Sequence, residues 1–240
     1  MSLVFSNSVS KSGIIELIDA SVGSNSTSYP LLDKTRDVNL ALDKALSIIF
    51  DADGTWQFDD SNHTDYPIIT TDLVANQRDY TFTSDENNNL ILEIYKVMIK
   101  DEDGYYFDIY PVDMQSQPEV ALYDGRDTAG TPYIYDKTAN GFFLEPIPEY
   151  SATDGIKVFI NREASYFTSS DTTKKPGFAG IFHEYLALRP AYQYAYRNSL
   201  PQTGTLQNEM LRMEQEIRDY YSRRSRDERD IISQHITEYH

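Results

Sequence analysis

The sequence predicts an α+β protein, with a helical bundle formed by the N- and C-terminal segments and a β-rich, barrel- or sandwich-like insertion between them. Apolar residues recur at helical spacing near both ends of the chain, whereas they alternate with polar residues through most of the middle. Short alternating runs separated by frequent turns are typical of a small barrel or sandwich. We therefore expect a bundle at 1–65 and 164–240, with a C-terminal extension, and an insertion at 66–163.

Two helices are predicted at the start of the chain. The first spans residues 13–22 and is followed by a polar loop at 23–28. The second begins near Asp33 or Thr35, which are both residue types that cap helices, and ends at Gly54. Each has one apolar face that can pack against other helices. The first face holds Ile14, Ile15, Ile18 and Val22, and the second holds Val38, Leu42, Ala45, Leu46 and Ile49.

The middle of the chain predicts six or seven strands. The longest is 90–100, where Leu92 and Ile94 fall on one face and Val97 and Ile99 on the other. The turn at 101–104 ends in a glycine and predicts a hairpin with the next strand. A long polar segment at 116–130 predicts an exposed loop. The other strand candidates are 66–74, 78–83, 105–110, 131–135, 142–145 and 156–162.

Two further helices are predicted after residue 176. The first spans 177–196 and contains Pro190, so we expect a kink or break at Arg189. The last begins at Thr205, which can act as its cap. Its apolar residues follow the a/d spacing of a helix packed in a bundle: Leu206, Met210, Met213, Ile217 and Tyr220.

Composition limits the possible functions. The net charge of −17 repels a nucleic-acid backbone, so sequence-specific DNA binding is not expected. There are no cysteines, which excludes disulfides and thiolate metal sites, and no apolar run is long enough to span a membrane. The N-terminus lacks the pattern of a secretory signal. The 19 tyrosines favour an interaction protein, because tyrosine is enriched at protein interfaces.

No catalytic, cofactor or metal motif is found, so we predict no enzyme activity, cofactor or metal. The four histidines share no metal-binding spacing, and His183 is expected to be structural. The acidic stretch at 51–62 has the Asp-x-Asp spacing of a calcium loop, but its glycine and its twelfth residue do not fit an EF-hand. Phosphate-binding and nucleophile motifs are also missing. Counting acidic residues does not exclude a carboxylate pair that hydrolyses glycans.

A set of motifs occurs in a fixed order in the middle of the chain. The motifs are Gly130-Thr131-Pro132 with Tyr135, then Leu144-Glu145-Pro146-Ile147-Pro148, then a strand ending in Arg162. They follow Trp56, near the end of the first helical region, and precede a helical C-terminal region. This order resembles the head-to-tail adaptor (connector) proteins of tailed bacteriophages, and the resemblance covers roughly residues 14–221.

The resemblance implies a structural virion protein at the head–tail junction, or neck. Such proteins assemble in the host cytoplasm as a homo-oligomeric ring, commonly of about twelve copies. The implied partners are a portal protein and a tail or nozzle protein. DNA would only pass through the channel non-specifically, and an acidic lining would let it slide. Another neck or tail structural protein is an alternative, as is a tail-associated polysaccharide hydrolase.

The last 18 residues are predicted to dock onto the portal. Six of the chain's twelve arginines lie between 212 and 229, and the apolar stripe of the last helix ends near Tyr221. Arginines could pair bidentately with acidic partner groups while apolar side chains fill pockets. The alternative is a helix that simply continues, with arginines paired to acidic neighbours. The candidate docking residues are Arg223, Arg224, Arg226, Arg229, Ile231, Ile232, Ile236 and Tyr239.

Overall fold

The computed structural model describes residues 3–53, 68–84, 90–113, 129–138 and 140–224. The predicted mixed α+β class is confirmed, with four α-helices and a seven-stranded sheet among these residues. The described residues form two compact units. The helical unit draws on Met1–Thr55, Phe167–Lys174 and Ala179–His240, and the β unit draws on Trp56–Tyr166 and Lys175–Phe178.

Helix α1 (Ile14–Val22) has the apolar face that the sequence predicts. All four residues of that face are buried. The helix ends at Gly23, whose φ of 65° is left-handed and whose N–H donates to the carbonyl of Asp19. A left-handed residue satisfies an end carbonyl and turns the chain away, and glycine adopts this conformation without steric cost.

Helix α2 (Leu31–Asp53) begins earlier than predicted, so the proposed caps are wrong. The N–H of Lys34 donates to the carbonyl of Pro30 at 3.0 Å, which makes Pro30 the first acceptor of the helix. Thr35 therefore lies inside the helix, where its hydroxyl donates to the carbonyl of Leu31 at 2.7 Å. The apolar stripe is confirmed, since all five of its residues are buried: Val38, Leu42, Ala45, Leu46 and Ile49.

Helix α3 (Tyr185–Arg197) follows a short 3₁₀ turn at Gly180–Phe182. The predicted break at Arg189 is wrong, because the helix continues through Pro190. Proline has no N–H, so one bond to the carbonyl of Leu186 is lost. Pro190 and Leu186 are both buried. Packing of this face offsets the lost bond, as tertiary contacts supply most helix stability in proteins.

Helix α4 (Thr203–Arg224) begins two residues before the predicted cap. Four residues of its predicted apolar stripe are buried. The predicted fifth residue, Tyr220, is 41% exposed, and the buried residue is instead Tyr221, which is 2% exposed. The step after Ile217 is four residues rather than three, which returns to the same face of a helix with 3.6 residues per turn. The two tyrosines are adjacent, so the spacing alone could not distinguish them.

The four helices form one packed arrangement. Helix α1 contacts α3, α2 contacts α3 and α4, and α3 contacts α4. The segment before α1 also packs here, because the ring of Phe5 stacks on Phe167 with centroids 4.8 Å apart. The Asn39 side chain of α2 holds both backbone groups of Phe167, each at 2.9 Å. None of the helices in the described ranges is both long and apolar enough to cross a membrane.

The β unit contains nine strands among the described residues. Strand β9 is the longest and carries a row of buried aliphatic residues, as a central strand requires. The strands are β1 (Ile68–Leu73), β2 (Asp79–Thr81), β3 (Ile91–Lys100), β4 (Tyr106–Pro111), β5 (Ala129–Gly130), β6 (Ile134–Thr138), β7 (Gly141–Glu145), β8 (Ile147–Pro148) and β9 (Ala152–Arg162).

The seven-stranded sheet has the order β1-β9-β3-β4-β6-β7-β2, and β5 pairs with β8 separately. All neighbours in the large sheet are antiparallel except β4 and β6, which are parallel. The peptide bond between Glu145 and Pro146 is cis and lies between β7 and β8. The core of this unit includes Leu73, Tyr80, Ile94, Val97, Ile99, Ile109, Tyr135, Phe142, Leu144, Ile156, Val158 and Ile160.

Strand β3 contains a β-bulge that the sequence did not predict. Continuous alternation would bury either Leu92 with Ile94 or Val97 with Ile99. The structure instead buries Ile94, Val97 and Ile99, and leaves Leu92 55% exposed. The pairing of β3 with β9 shifts register at two places, around Leu92 and around Tyr95, each of which is an extra residue on the β3 side. A bulge reverses the alternation after it, so the predicted faces are wrong across these points.

The hairpin predicted between the longest strand and the next is confirmed. Strands β3 and β4 pair antiparallel, and Gly104 has a φ of 90° in the turn. The Asp101 carboxylate accepts the N–H of Tyr105 at 2.7 Å. The turn is therefore stabilised by the Asp101 carboxylate, which accepts a backbone N–H, and by the positive φ of Gly104. The acidic stretch after Asp53, Trp56 and residues 116–128 of the predicted loop lie outside the described residues.

Candidate functional site

The predicted docking residues lie at the end of α4 and beyond it. Arg223 is exposed in the last turn, and Arg224 is the last residue of the helix. Docking stays a prediction, because most of the segment lies outside the described residues. Those positions are Arg226, Arg229, Ile231, Ile232, Ile236 and Tyr239.

The helix is firmly packed just before this segment. The Tyr221 hydroxyl is buried and accepts the backbone N–H of Ala179 at 3.0 Å. The ring of Tyr220 meets Phe182 edge-on, with centroids 5.3 Å apart. The position from which a C-terminal segment would extend is therefore fixed within the helical unit.

The arginines of α4 before Arg223 pair with nearby carboxylates. Arg212 lies 3.6 Å from Glu216 in an i,i+4 pair, as one of the two alternatives predicts. Arg218 lies 3.7 Å from Asp51 of α2. The side chains of both pairs are 45–71% exposed, so each contributes at most about 1 kcal/mol. These two arginines are therefore occupied within the unit.

A fully buried carboxylate, Asp37, connects three parts of the helical unit. It accepts the Tyr29 hydroxyl at 2.6 Å, Nε of Arg36 at 3.1 Å and Nη1 of Arg197 at 3.1 Å. The two arginines are 56% and 52% exposed, so only their tips enter the cluster. Burial, together with the hydrogen bond to Asp37, raises the pKa of Tyr29. The cluster joins the start of α2 to the end of α3.

A second ion pair extends this cluster toward α1. The ammonium of Lys34 lies 2.5 Å from the Asp19 carboxylate, and the Lys34 side chain is only 3% exposed. The Ser24 hydroxyl donates to the same carboxylate at 2.5 Å. The sequence contained no signal for this cluster, because charged residues at helix starts are usually solvated. Its geometry serves to hold helices together and provides no open site.

Helices α3 and α4 share a further polar contact that the sequence did not predict. The Tyr185 hydroxyl donates to Glu214 at 2.7 Å, and Arg189 lies 3.5 Å from the same carboxylate. Burial, reinforced by the hydrogen bond, raises the pKa of Tyr185. Tyr185 is fully buried. The contact therefore fixes the register of the two helices.

Several tyrosines are exposed in the way an interaction protein requires. Tyr105, Tyr110 and Tyr133 of the β unit are 72%, 69% and 59% exposed, and Tyr196 of the helical unit is 68% exposed. The N–H of Tyr110 donates to the carbonyl of Tyr133 at 3.2 Å, so these two residues are neighbours. Tyrosine presents a rigid apolar ring with a polar tip, which suits protein interfaces.

The β unit has two open cavities lined by described residues. The larger, about 500 Å³, is lined by Pro111, Val112, Asp113, Asp136 and Lys137. The smaller, about 200 Å³, lies beside the bulged part of β3 and has a more polar lining. The larger cavity holds two carboxylates, which is the chemistry a glycan hydrolase would need.

Histidine 183 is part of the helical core. It is 1% exposed, and its Nδ1 accepts the backbone N–H of Leu3 at 3.0 Å. The structural role that the sequence predicts for His183 is therefore confirmed. Within the described ranges, no group of three or more histidine or acidic side chains is placed to hold a metal ion.

The buried polar groups described above therefore act within the helical unit, and exposed tyrosines are found in both units. No protein-family model matches the chain, and no curated protein matches it at a significant level.

Proposed function

We propose that the chain is a structural subunit of a tailed-bacteriophage virion, a head-to-tail adaptor. Copies form a ring at the neck, commonly of about twelve subunits, that joins the portal protein to a tail or nozzle protein. DNA passes through the ring without sequence-specific contact during packaging and ejection. The subunit acts without catalysis, cofactor or metal, and it is assembled in the host cytoplasm.

The observation that carries this proposal is the organisation of the chain. Two helices from the N-terminal part and two from the C-terminal part pack together, while all nine described strands lie between them in sequence. We interpret this as a bundle of 1–65 and 164–240 with a barrel- or sandwich-like insertion at 66–163. This arrangement matches the order of elements that the resemblance to adaptor proteins implies.

Charge and surface composition support the same function. A net charge of −17 disfavours tight contact with DNA, which suits a channel through which DNA must move. The exposed tyrosines occur in both units, so each unit offers contact area to another protein. An adaptor needs at least two protein-binding faces, one toward the head and one toward the tail.

The C-terminal segment provides the contact with the portal in this proposal. It follows the last packed residue of α4, and four arginines lie within seven positions of an acidic chain: Arg223, Arg224, Arg226 and Arg229. The apolar anchors that follow are Ile231, Ile232, Ile236 and Tyr239. Ordering such a segment on binding costs about 2–5 kcal/mol. The contacts it makes must exceed that cost.

The proposal is tested by reconstitution with the portal protein of the same phage. We expect purified full-length protein to bind portal rings and to appear in electron micrographs as an added ring below the portal. A protein that leaves the portal bare, but binds another neck or tail component, would support the alternative of a structural protein at a different level.

A truncated protein tests whether the C-terminal segment is needed for portal binding but not for folding. Removing residues 223–240 should leave the melting temperature unchanged and abolish portal binding. A matched control replaces Arg212 and Arg218, which already pair within the helical unit, by glutamine. Normal portal binding by the truncated protein would show that the segment is not the docking element.

A second candidate function rests on the larger cavity of the β unit. Asp113 and Asp136 both line it, so a polysaccharide hydrolase of the tail is the rival hypothesis. It predicts turnover of a capsular or cell-wall glycan that is lost in Asp113→Asn or Asp136→Asn. The adaptor function predicts no turnover by the wild-type protein and normal portal binding by both variants.

A further inference from the structure

One face of the β unit is basic and aromatic, although the chain as a whole is acidic. Strands β9, β3 and β4 are neighbours, and their core-side residues include Ile99, Ile109 and Val158. The residues that alternate with these lie on the other side of the sheet. They form what we call the lysine face, defined by Lys96, Met98, Lys100, Tyr106, Asp108, Lys157 and Phe159.

The register brings these side chains together. Met98 pairs with Lys157 of β9 on one side and with Asp108 of β4 on the other. Lys100 pairs with Tyr106. The ammonium groups lie against aromatic rings, since Lys96 is 5.4 Å from the centroid of Phe159. Such cation–π contacts hold lysines at a surface without neutralising their charge.

Two of the three lysines have no acidic partner among the residues that the structure describes. Lys96 is paired with Asp108 at 2.9 Å. Among the described residues, no ion pair joins Lys100 or Lys157 to a carboxylate. Their ammonium groups lie 5.2 Å and 3.8 Å from the centroid of the same Tyr106 ring. Two like charges at one ring repel each other, and a carboxylate placed between them would remove that repulsion.

We propose that the lysine face is the surface on which an acidic surface of a second copy of this chain docks. The face carries three of the nine lysines of a chain with a net charge of −17, so another copy has an excess of carboxylates that can complement it. Tyr110 lies on the same side of β4 as Tyr106 and is 69% exposed, which adds aromatic contact area. Docking a basic face of one copy on a different, acidic face of the next is a heterologous contact.

Heterologous contacts close into rings when the rotation between copies permits it. The inference therefore rests on the proposed ring and names the surface through which neighbouring subunits meet. A nucleic acid fits the face less well, because Asp108 lies within it and the overall charge repels phosphates. Charge complementarity also explains how acidic subunits can associate despite their mutual repulsion.

The test uses the full chain with a photo-cross-linking amino acid in place of Tyr110. At rising protein concentration we expect cross-linked dimers, with the second copy attached through an acidic segment identified by mass spectrometry. The double variant Lys100→Glu/Lys157→Glu should lose most of these dimers. Its matched control, Lys11→Glu/Lys137→Glu, changes the net charge equally at exposed lysines outside the face and should keep them.

Three results of the dimer assay would overturn the inference. They are an absence of dimers up to the solubility limit, dimers that persist in the Lys100/Lys157 variant, and an equal loss in the control. Cross-linking to added single-stranded or duplex DNA in place of protein would also overturn it. If the glutamate variant melts early, Lys100→Gln/Lys157→Gln takes its place. Self-association through this face by a protein that never binds a portal would refute the proposed function and leave this inference standing.

Discussion

The bulge in β3 predicts that alanine substitutions at two residues of the same strand have different effects on stability. Ile99 is fully buried and Leu92 is 55% exposed, although both are large aliphatic residues in β3. Ile99→Ala removes buried methyl groups and leaves a cavity, which costs about 2–5 kcal/mol. Leu92→Ala removes mostly solvated surface and should change stability by about 0.5 kcal/mol or less.

The difference is large enough to measure by thermal unfolding. For a chain of this size, each kcal/mol shifts Tm by about 2–4 °C, so a loss of about 3 kcal/mol lowers Tm by about 6–12 °C. Differential scanning calorimetry is the suitable assay, because two compact units can unfold in separate transitions. Equal costs at Ile99 and Leu92, or no cost at either, would refute the assignment of the buried face.

The remaining predictions concern the helical unit and association. Asp37→Ala should lower the free energy of unfolding by about 1–3 kcal/mol in urea titrations, because it leaves the buried Tyr29 hydroxyl without its acceptor, whereas the more exposed Asp33 should tolerate the same change. The pKa values of Tyr29 and Tyr185 are raised on folding, so the unfolded state loses those protons first. Stability should therefore fall as the pH rises above about 10, and Tyr29→Phe should make the fall shallower. At low salt, light scattering should show monomers or weakly associated species and no closed ring, because subunits with a charge of −17 repel each other until a partner aligns them.

The helices were largely predictable from the sequence because their periodicity is local. The buried faces of α1 and α2 follow directly from apolar spacing. The start of α2 was not predictable, because several residues near Asp33 could cap a helix and packing decided between them. Similarly, Pro190 is compatible with α3 only because its neighbours are buried, which depends on helices far away in the chain.

Most strand positions were also predictable, but the short strands β5 and β8 and the buried face of β3 were not. Extra residues at Leu92 and Tyr95 change which side chains of β3 face the core, and no residue type marks a bulge of this kind. The parallel pairing of β4 with β6 likewise depends on a long connection rather than on a local pattern.

The buried polar contacts were the least predictable part. Tyr29 and Arg197 both form hydrogen bonds with Asp37 in the folded protein. Arg197 is far from Asp37 in the sequence, so no local pattern predicts this contact. The lysine face is similar, because its members come from β3, β4 and β9 and become neighbours only through sheet register. The net charge of −17 alone would predict an acidic surface rather than a basic one.

The pairing of β1 with β9 has a consequence for how the chain folds during synthesis. Ile68 pairs with Phe159, and β9 also separates β1 from β3, so the first strand has no place in the sheet until the ninth has been made. The helical unit is delayed further, because α1 packs on α3 and Leu3 contacts His183. Among the described strands, the β3–β4 and β6–β7 hairpins can form early, because each pairs strands that follow one another in the chain. The nascent chain therefore exposes apolar helix faces while most of it is still being translated, and this favours binding by chaperones before release from the ribosome.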